Sequence, residues 1–182
     1  MKIKFFSLVG ILAISSQMMA GTMAPAPQMQ QPMMSQTLFG PGFTIGGHAL
    51  FVTPKGDQGS TRAWGGGLNA DYFFNSNVGL GFSADWARPN STTFGAYTAD
   101  LVVRMPFEAY HIAPYILGGI GAVHANDNGD RTSTEFLFRA GAGLELRMNS
   151  KFGIFSDYSW NWPTGDTISN YGMFRVGVKF GF

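Results

Sequence analysis

From Phe43 to Phe182 the chain alternates apolar and polar residues in segments of about ten, separated by turn-forming residues. A period of two sends successive side chains to opposite faces of a strand. Each segment therefore reads as a strand with one apolar and one polar face. In residues 43 to 52, Phe43, Ile45, Ala49 and Phe51 share one phase, and Thr44 and His48 the other. Ala63 to Phe73 sets Trp64, Leu68, Ala70 and Tyr72 against Asn69 and Asp71. Val78 to Ala87 sets Leu80, Phe82, Ala84 and Trp86 against Gly79, Gly81, Ser83 and Asp85. Gly95 to Phe107 sets Tyr97, Leu101, Val103 and Met105 against Asp100 and Arg104. His111 to Val123 is uncharged and glycine-rich, so its phase is open. Thr134 to Met148 sets Phe136, Phe138, Leu144 and Leu146 against Arg139, Glu145 and Arg147. Phe152 to Trp160 sets Ile154, Tyr158 and Trp160 against Asp157, with Phe155 breaking the pattern. Tyr171 to Phe182 sets Phe174, Val176, Val178, Phe180 and Phe182 against Arg175 and Lys179. About eight strands result, an even number that suits a closed antiparallel barrel.

Alternation does not say which face points inward. A soluble ligand-carrying barrel puts apolar residues inside; a membrane barrel puts them outside. The polar phase decides. Between its charges it is largely glycine and serine, as at Gly65, Gly67, Gly79, Gly81 and Ser83. A water-facing exterior carries many more charges, whereas a narrow lumen needs small residues beside a few large ones. The apolar phase also places aromatics toward both segment ends. Trp64, Trp86 and Trp160 fall at one end, and Tyr72, Phe107, Phe152 and Phe180 at the other. That arrangement suits two interfacial girdles. The expectation is an all-β, eight-stranded antiparallel up-and-down transmembrane β-barrel.

The connections alternate in length. Asn75-Ser76-Asn77 and Asn149-Ser150-Lys151 are tight, while the stretches around Lys55 to Thr61 and Asn126 to Ser133 read as longer polar loops. The tight turns and both termini are expected on the periplasmic side and the loops outside.

The first residues read as a secretory signal, residues 1 to 20. Lys2 and Lys4 precede an apolar stretch from Phe5 to Ile14, too short to span a bilayer as a helix. Cleavage is expected after Ala20, with Ala24 as the second position; a buried N-terminal helix is the competing reading. Residues 21 to 39 are rich in Pro, Gln and Met and read as a flexible periplasmic segment, with the barrel over 40 to 182. Met29, Met33 and Met34 could ligate Cu(I) through thioethers, but without a shaped site they read as linker. The chain has no cysteine, which removes disulfides, thiolate metal sites and lipidation of an N-terminal cysteine. Its formal charge is +1, and loss of Lys2 and Lys4 leaves −1. That balance argues against nucleic acid as a partner.

Residues Gly172 to Phe182 resemble the last strand of bacterial outer-membrane proteins. Val178, Phe180 and the terminal Phe182 look like that family's recognition signal for barrel assembly. Asp157-Tyr158-Ser159-Trp160 is similar to a neighbouring strand of OmpA-like barrels, and Pro114-Tyr115 followed by Gly118-Gly119-Ile120-Gly121 is common there. The resemblance, to OmpA-like and OmpX-like small barrels, covers residues 40 to 182. It implies location in the cell outer membrane of a Gram-negative bacterium. It also implies contact with membrane lipids and lipopolysaccharide, handling by the barrel-assembly machinery, a possible host or surface ligand, and a monomer. The chain ends at the last strand, so the peptidoglycan-binding role of full-length OmpA is not carried over.

The lumen phase holds Asp71, Asp85, Asp100, Glu145 and Asp157 against Arg104, Arg139, Arg147, Arg175 and Lys179. Unpaired charges in so narrow a space are costly, so a paired network that plugs the barrel is expected, with some of these charges near the mouths in water. No cofactor or metal is expected. An enzyme is not expected either: His48, His111 and His124 each lack a serine two residues on, the arrangement a lipid A deacylase resemblance requires. His48 is expected to bond within the lumen, and His111 and His124 to lie near opposite interfaces. The Gly118 to Gly121 run lacks the spacing of a phosphate loop. The leading reading is a structural or surface-interaction barrel; the alternative is a porin-like narrow channel for ions or small solutes, and third a lipid A-modifying enzyme.

Overall fold

The computed structural model describes residues 37–54, 62–88, 92–127 and 131–182. The expected secretory signal with Ala20 and Ala24, the Met29, Met33 and Met34 cluster, and the Lys55 to Thr61 stretch lie outside these residues. Eight strands form: β1 Gly42–Pro54, β2 Ala63–Phe73, β3 Val78–Ala87, β4 Thr92–Arg104, β5 Ile112–Asp127, β6 Arg131–Arg147, β7 Phe152–Pro163 and β8 Tyr171–Gly181. Each pairs antiparallel with its sequence neighbour, and β8 returns to β1, closing the barrel. Closure satisfies every ladder without leaving an edge, which hydrocarbon requires.

The register fixes the stagger. Thr44 faces Asp71, which faces Gly81, then Asp100, Gly119, Arg139, Asn161, Tyr171 and finally Pro54, ten residues further along β1. Such a shear tilts the strands steeply and sets a lumen that side chains can fill.

Two asparagine turns lie at the end that carries Gly42 and Phe182, but the expected alternation of short turns with longer loops does not hold throughout: residues 88–91 and 128–130 connect strands at the other end, and residues 105–111 make a longer connection at this one. Asn75 Oδ1 accepts from the backbone N–H of Asn77 and Val78, both at 2.8 Å. Asn149 Oδ1 repeats the device with Lys151 at 2.9 Å and Phe152 at 2.8 Å. The side chain mimics a backbone turn, which is why an asparagine opens each. Between β4 and β5 a single 3-10 turn, Glu108–Tyr110, ends on His111 at φ 59°, a left-handed position.

The larger departures from the expected strand boundaries fall in three places. β4 is Thr92–Arg104, not Gly95 to Phe107, because Pro106 cannot extend the ladder. β7 continues beyond Trp160 to Pro163. The polar stretch Asn126 to Ser133 is mostly strand: Ala125 pairs with Ser133, Asn126 with Thr132 and Asp127 with Arg131. Polarity suggested a loop there, but strands that rise above the bilayer into water need no apolar face, and threonine favours the extended backbone.

The apolar phase faces outward, with Trp64, Leu68, Phe82, Tyr97, Ile116 and Phe138 among its exposed residues. All seven girdle residues are on this outer surface: Trp64, Tyr72, Trp86, Phe107 and Phe180 are well exposed, Phe152 and Trp160 partly. The open phase of β5 resolves with Ala113, Tyr115, Leu117 and Val123 inward. Phe155, which breaks the alternation of β7, points into the lumen.

The interior is not glycine, serine and charge throughout. Toward the loop end a cluster of Leu50, Val52, Phe94, Leu137, Tyr171 and Met173 fills it, with Ile168 packed against the cluster from the β7–β8 loop. Glu135 pins that loop by accepting from the backbone N–H of Thr167 at 2.9 Å and Ile168 at 3.1 Å.

Leu137→Ala is expected to lower unfolding stability by about 2–4 kcal/mol, because a fully enclosed site collapses poorly. Leu144→Ala, on the outer face, is expected to cost clearly less. The midpoint of urea unfolding, followed by heat-modifiable gel migration, measures both.

Candidate functional site

The ten charged residues of the polar phase all lie inside the barrel, and none is more than 6 % exposed. The expectation that some sit in water at the mouths is therefore corrected. The lumen is capped at both ends, by the Leu50 to Met173 cluster on one side and by Phe39 and Phe73 on the other.

Mid-barrel, Asp85 on β3 is the hub. His48 Nε2 lies 2.6 Å from its Oδ1, Arg139 Nη1 3.6 Å and Arg175 Nη1 3.9 Å from its Oδ2. Arg175 also grips Asp157 with two parallel bonds, Nε at 2.8 Å and Nη2 at 2.9 Å, the forked geometry that makes arginine–carboxylate pairs strong. Tyr115 donates its hydroxyl to Asp157 Oδ2 at 2.7 Å. Arg139 reaches Asp100 at 3.2 Å and donates to Thr98 at 2.9 Å and Ser83 at 3.2 Å. One carboxylate thus ties together β1, β6 and β8 from β3.

A second cluster sits toward the turn end. Lys179 Nζ lies 2.7 Å from Asp71, which also accepts from Thr44 and Asn69 at 3.3 Å, and 3.8 Å from Glu145. Glu145 is shared with Arg104 at 3.9 Å and with Arg147, whose Nε donates to it. Arg104 is over-determined. Its guanidinium lies 3.5 Å from the Phe73 ring centroid and donates to the carbonyls of Phe39 at 2.9 Å, Gly40 at 3.0 Å and Ser76 at 2.8 Å. Leu38 and Phe39 in turn donate their backbone N–H to the Glu108 carboxylate at 3.1 and 3.4 Å. The residues just before β1 are thereby fastened across the turn-end mouth.

Glycines give these side chains room. Across the ladder large inward residues meet glycine: Asp71 opposite Gly81, Asp100 opposite Gly119, Tyr115 opposite Gly143, Leu117 opposite Gly141. A Cβ at Gly67 would come within 2.5 Å of His48 Nε2 and 2.6 Å of Asp85 Oδ1; one at Gly143 would meet Tyr115 and Asp157 at 2.6 Å. A cavity of about 20 Å³, bordered by Asn69, Asp71, Asp100, Tyr115, Arg175 and Lys179, has room for about one water.

The constellation does not assemble a nucleophile. Ser83 Oγ donates to Asp85 at 3.1 Å and bonds Thr98 at 2.8 Å, so the acid stands between serine and His48 and the imidazole is bonded to the acid rather than to the serine. His111 ends the 3-10 turn, and His124 bonds Thr134 at 2.9 Å toward the opposite end. Among the described residues no set of three or more His, Cys, Asp or Glu could hold a metal ion. Val178, Phe180 and Phe182 point outward. Sequence reasoning passed over Glu135 and Phe39, and marked Phe155 only as a break in the alternation. Glu135 was within reach, since it shares the parity of Arg139 and Glu145. Phe39 carried no periodic signal.

Asp157→Ala strands Arg175 and the Tyr115 hydroxyl and is expected to destabilise by about 3–5 kcal/mol. The double variant Asp157→Leu with Arg175→Met is expected to recover most of that loss. Unfolding free energies of the two variants check both statements.

The model of the outer membrane protein beta-barrel domain family matches residues 12–182. No curated protein matches the sequence. Among solved structures, Neisserial surface protein A aligns with a TM-score of 0.67 at 17 % identity, over 78 % of this chain and 97 % of that one. The N-terminal barrel of Pseudomonas aeruginosa OprF aligns at 0.59 and 18 %, over 79 % and 99 %. Ail, the attachment invasion locus protein of Yersinia pestis, aligns at 0.53 and 20 %, over 78 % and 97 %. These likenesses concern the fold, and with the family match they fix the chain's place: it belongs to the outer membrane protein β-barrel domain family and is an outer-membrane protein.

Proposed function

We propose that this barrel is a closed structural element of the outer membrane that works through its wall and its loop-end rim, in envelope integrity or in contact with surface molecules. The filled lumen carries this reading. Two ion clusters occupy it from mid-barrel to the turn end, and an apolar cluster stops it toward the loop end. Moving an ion along that path would require breaking buried pairs in a low-dielectric space.

The short turns and both termini face the periplasm in this reading, and the loop end faces outward. The tight asparagine turns at one end and the Trp64 and Trp86 band toward the other support it. The partners are membrane lipids with lipopolysaccharide, the assembly machinery reading Val178, Phe180 and Phe182, and a surface or host ligand at the rim; the barrel acts as a monomer. Ail, an attachment invasion locus protein, is a similar barrel that has been solved in complex with a heparin analogue. Rigid strands that present loops are a suitable frame for such contacts.

Planar-bilayer recording of the reconstituted chain is expected to give no stable large conductance. A persistent open channel would overturn the closed reading and support solute passage. Arg139→Ala is expected to leave the bilayer electrically quiet unless the network is a gate, in which case conductance rises. In cells, Phe182→Ala is expected to reduce the heat-modifiable outer-membrane form several-fold; undiminished assembly would remove Phe182 from the recognition signal.

A further inference from the structure

The outer face of β1–β3 is not evenly bulky. Gly47 and Ala49 on β1, Gly66 and Ala70 on β2 and Ala84 on β3 all point outward, and the register sets Gly47 beside Leu68 and Leu68 beside Ala84. Gly47, Ala70 and Ala84 floor a groove of about 590 Å³ walled by Ile45, Leu68, Phe82 and Phe180. Toward the loop end the same face carries a second cleft, of about 420 Å³, bordered by Trp64, Trp86, Arg88 and Thr93. Aromatic pairs brace both sides: Phe51 against Trp64 at 4.8 Å, and Trp86 against Tyr97 at 6.1 Å, with the indole N–H donating to the Tyr97 hydroxyl at 3.3 Å. Arg88 is exposed at the head of the cleft, and Arg62, two residues before Trp64, is exposed at the same end.

We propose that this face seats one membrane lipid with an anionic phosphate headgroup. Its phosphate lies between Trp64 and Trp86 on Arg88, and one acyl chain runs down the groove over Ala84. The inference rests on the membrane embedding of the barrel and is independent of which way the barrel points. A groove in hydrocarbon must be filled by something apolar, and the cations at its head select the sign of the headgroup. A second copy is the weaker occupant, since a two-fold contact would bring Arg62 and Arg88 against their own copies.

The test is native mass spectrometry of the full chain released from micelles holding equal phosphatidylglycerol and phosphatidylcholine of matched acyl length. The wild type is expected to retain one phosphatidylglycerol in about fivefold preference. Arg88→Gln is expected to bring that preference close to one while lipid is still held. Ala84→Phe, which fills the groove, is expected to lower retention of both lipids, with folding verified by heat-modifiable migration. Equal retention of the two lipids by the wild type, a preference that survives Arg88→Gln, undiminished retention by Ala84→Phe, or a lipid-free dimer would each overturn the proposal. None of these outcomes bears on conductance, so the closed-barrel reading stands or falls separately.

Discussion

The ladder between β1 and β8 is the constraint from which the rest follows. Hydrocarbon offers no partner for a free backbone N–H or C=O, so a sheet that enters it must close on itself. Closing eight strands with a stagger of ten residues leaves a lumen of fixed width. That lumen must then be filled, because neither an empty tube nor a row of solitary charges is tolerable there. The outward face follows from lipid contact, and the inward face from the need to fill.

The way it is filled separates specificity from raw stability. A buried ion pair seldom outdoes a well-packed apolar substitute in net free energy, since desolvation offsets most of the Coulomb attraction. Apolar residues on both faces would, however, turn each strand into an uninterrupted hydrophobic run. Such a run is a hazard in water before insertion. Asp85, Asp157 and Arg175 keep the strands polar on one side until closure brings them together. The apolar cluster around Leu50 and Met173 is confined to one end of the lumen.

Much of this was legible in the sequence where faces differ in kind. β2 and β3 could be read to the residue, because Asn75-Ser76-Asn77 marks their junction and glycine and aspartate contrast with Leu80, Phe82 and Trp86. Legibility failed where the faces agree. Ala49-Leu50-Phe51-Val52 and Phe136-Leu137-Phe138 are apolar on both sides, so periodicity is silent about the inner cluster they build. It failed again where strands leave the bilayer, as at Asn126 and Thr132, because a polar strand in water has the composition of a loop. The charged residues could be assigned to the lumen from parity alone, but their partners could not. Asp85 meets Arg139 and Arg175 across the barrel, and such pairings depend on closure and shear rather than on sequence distance.

The glycines opposite large inward residues bear on how the strands find one another. Between β5 and β6 the match runs both ways: Tyr115 and Leu117 meet Gly143 and Gly141, while Gly119 and Gly121 meet Arg139 and Leu137. A slip of one residue would turn every side chain to the wrong face. A slip of two keeps the faces and would escape that penalty. In one direction it sets Leu117 against Arg139; in the other it sets Tyr115 against Glu145 and leaves Gly119 facing Gly141 across a void. The alternation of bulk along these two strands is therefore a steric code for alignment, one that needs no ion pair to be legible.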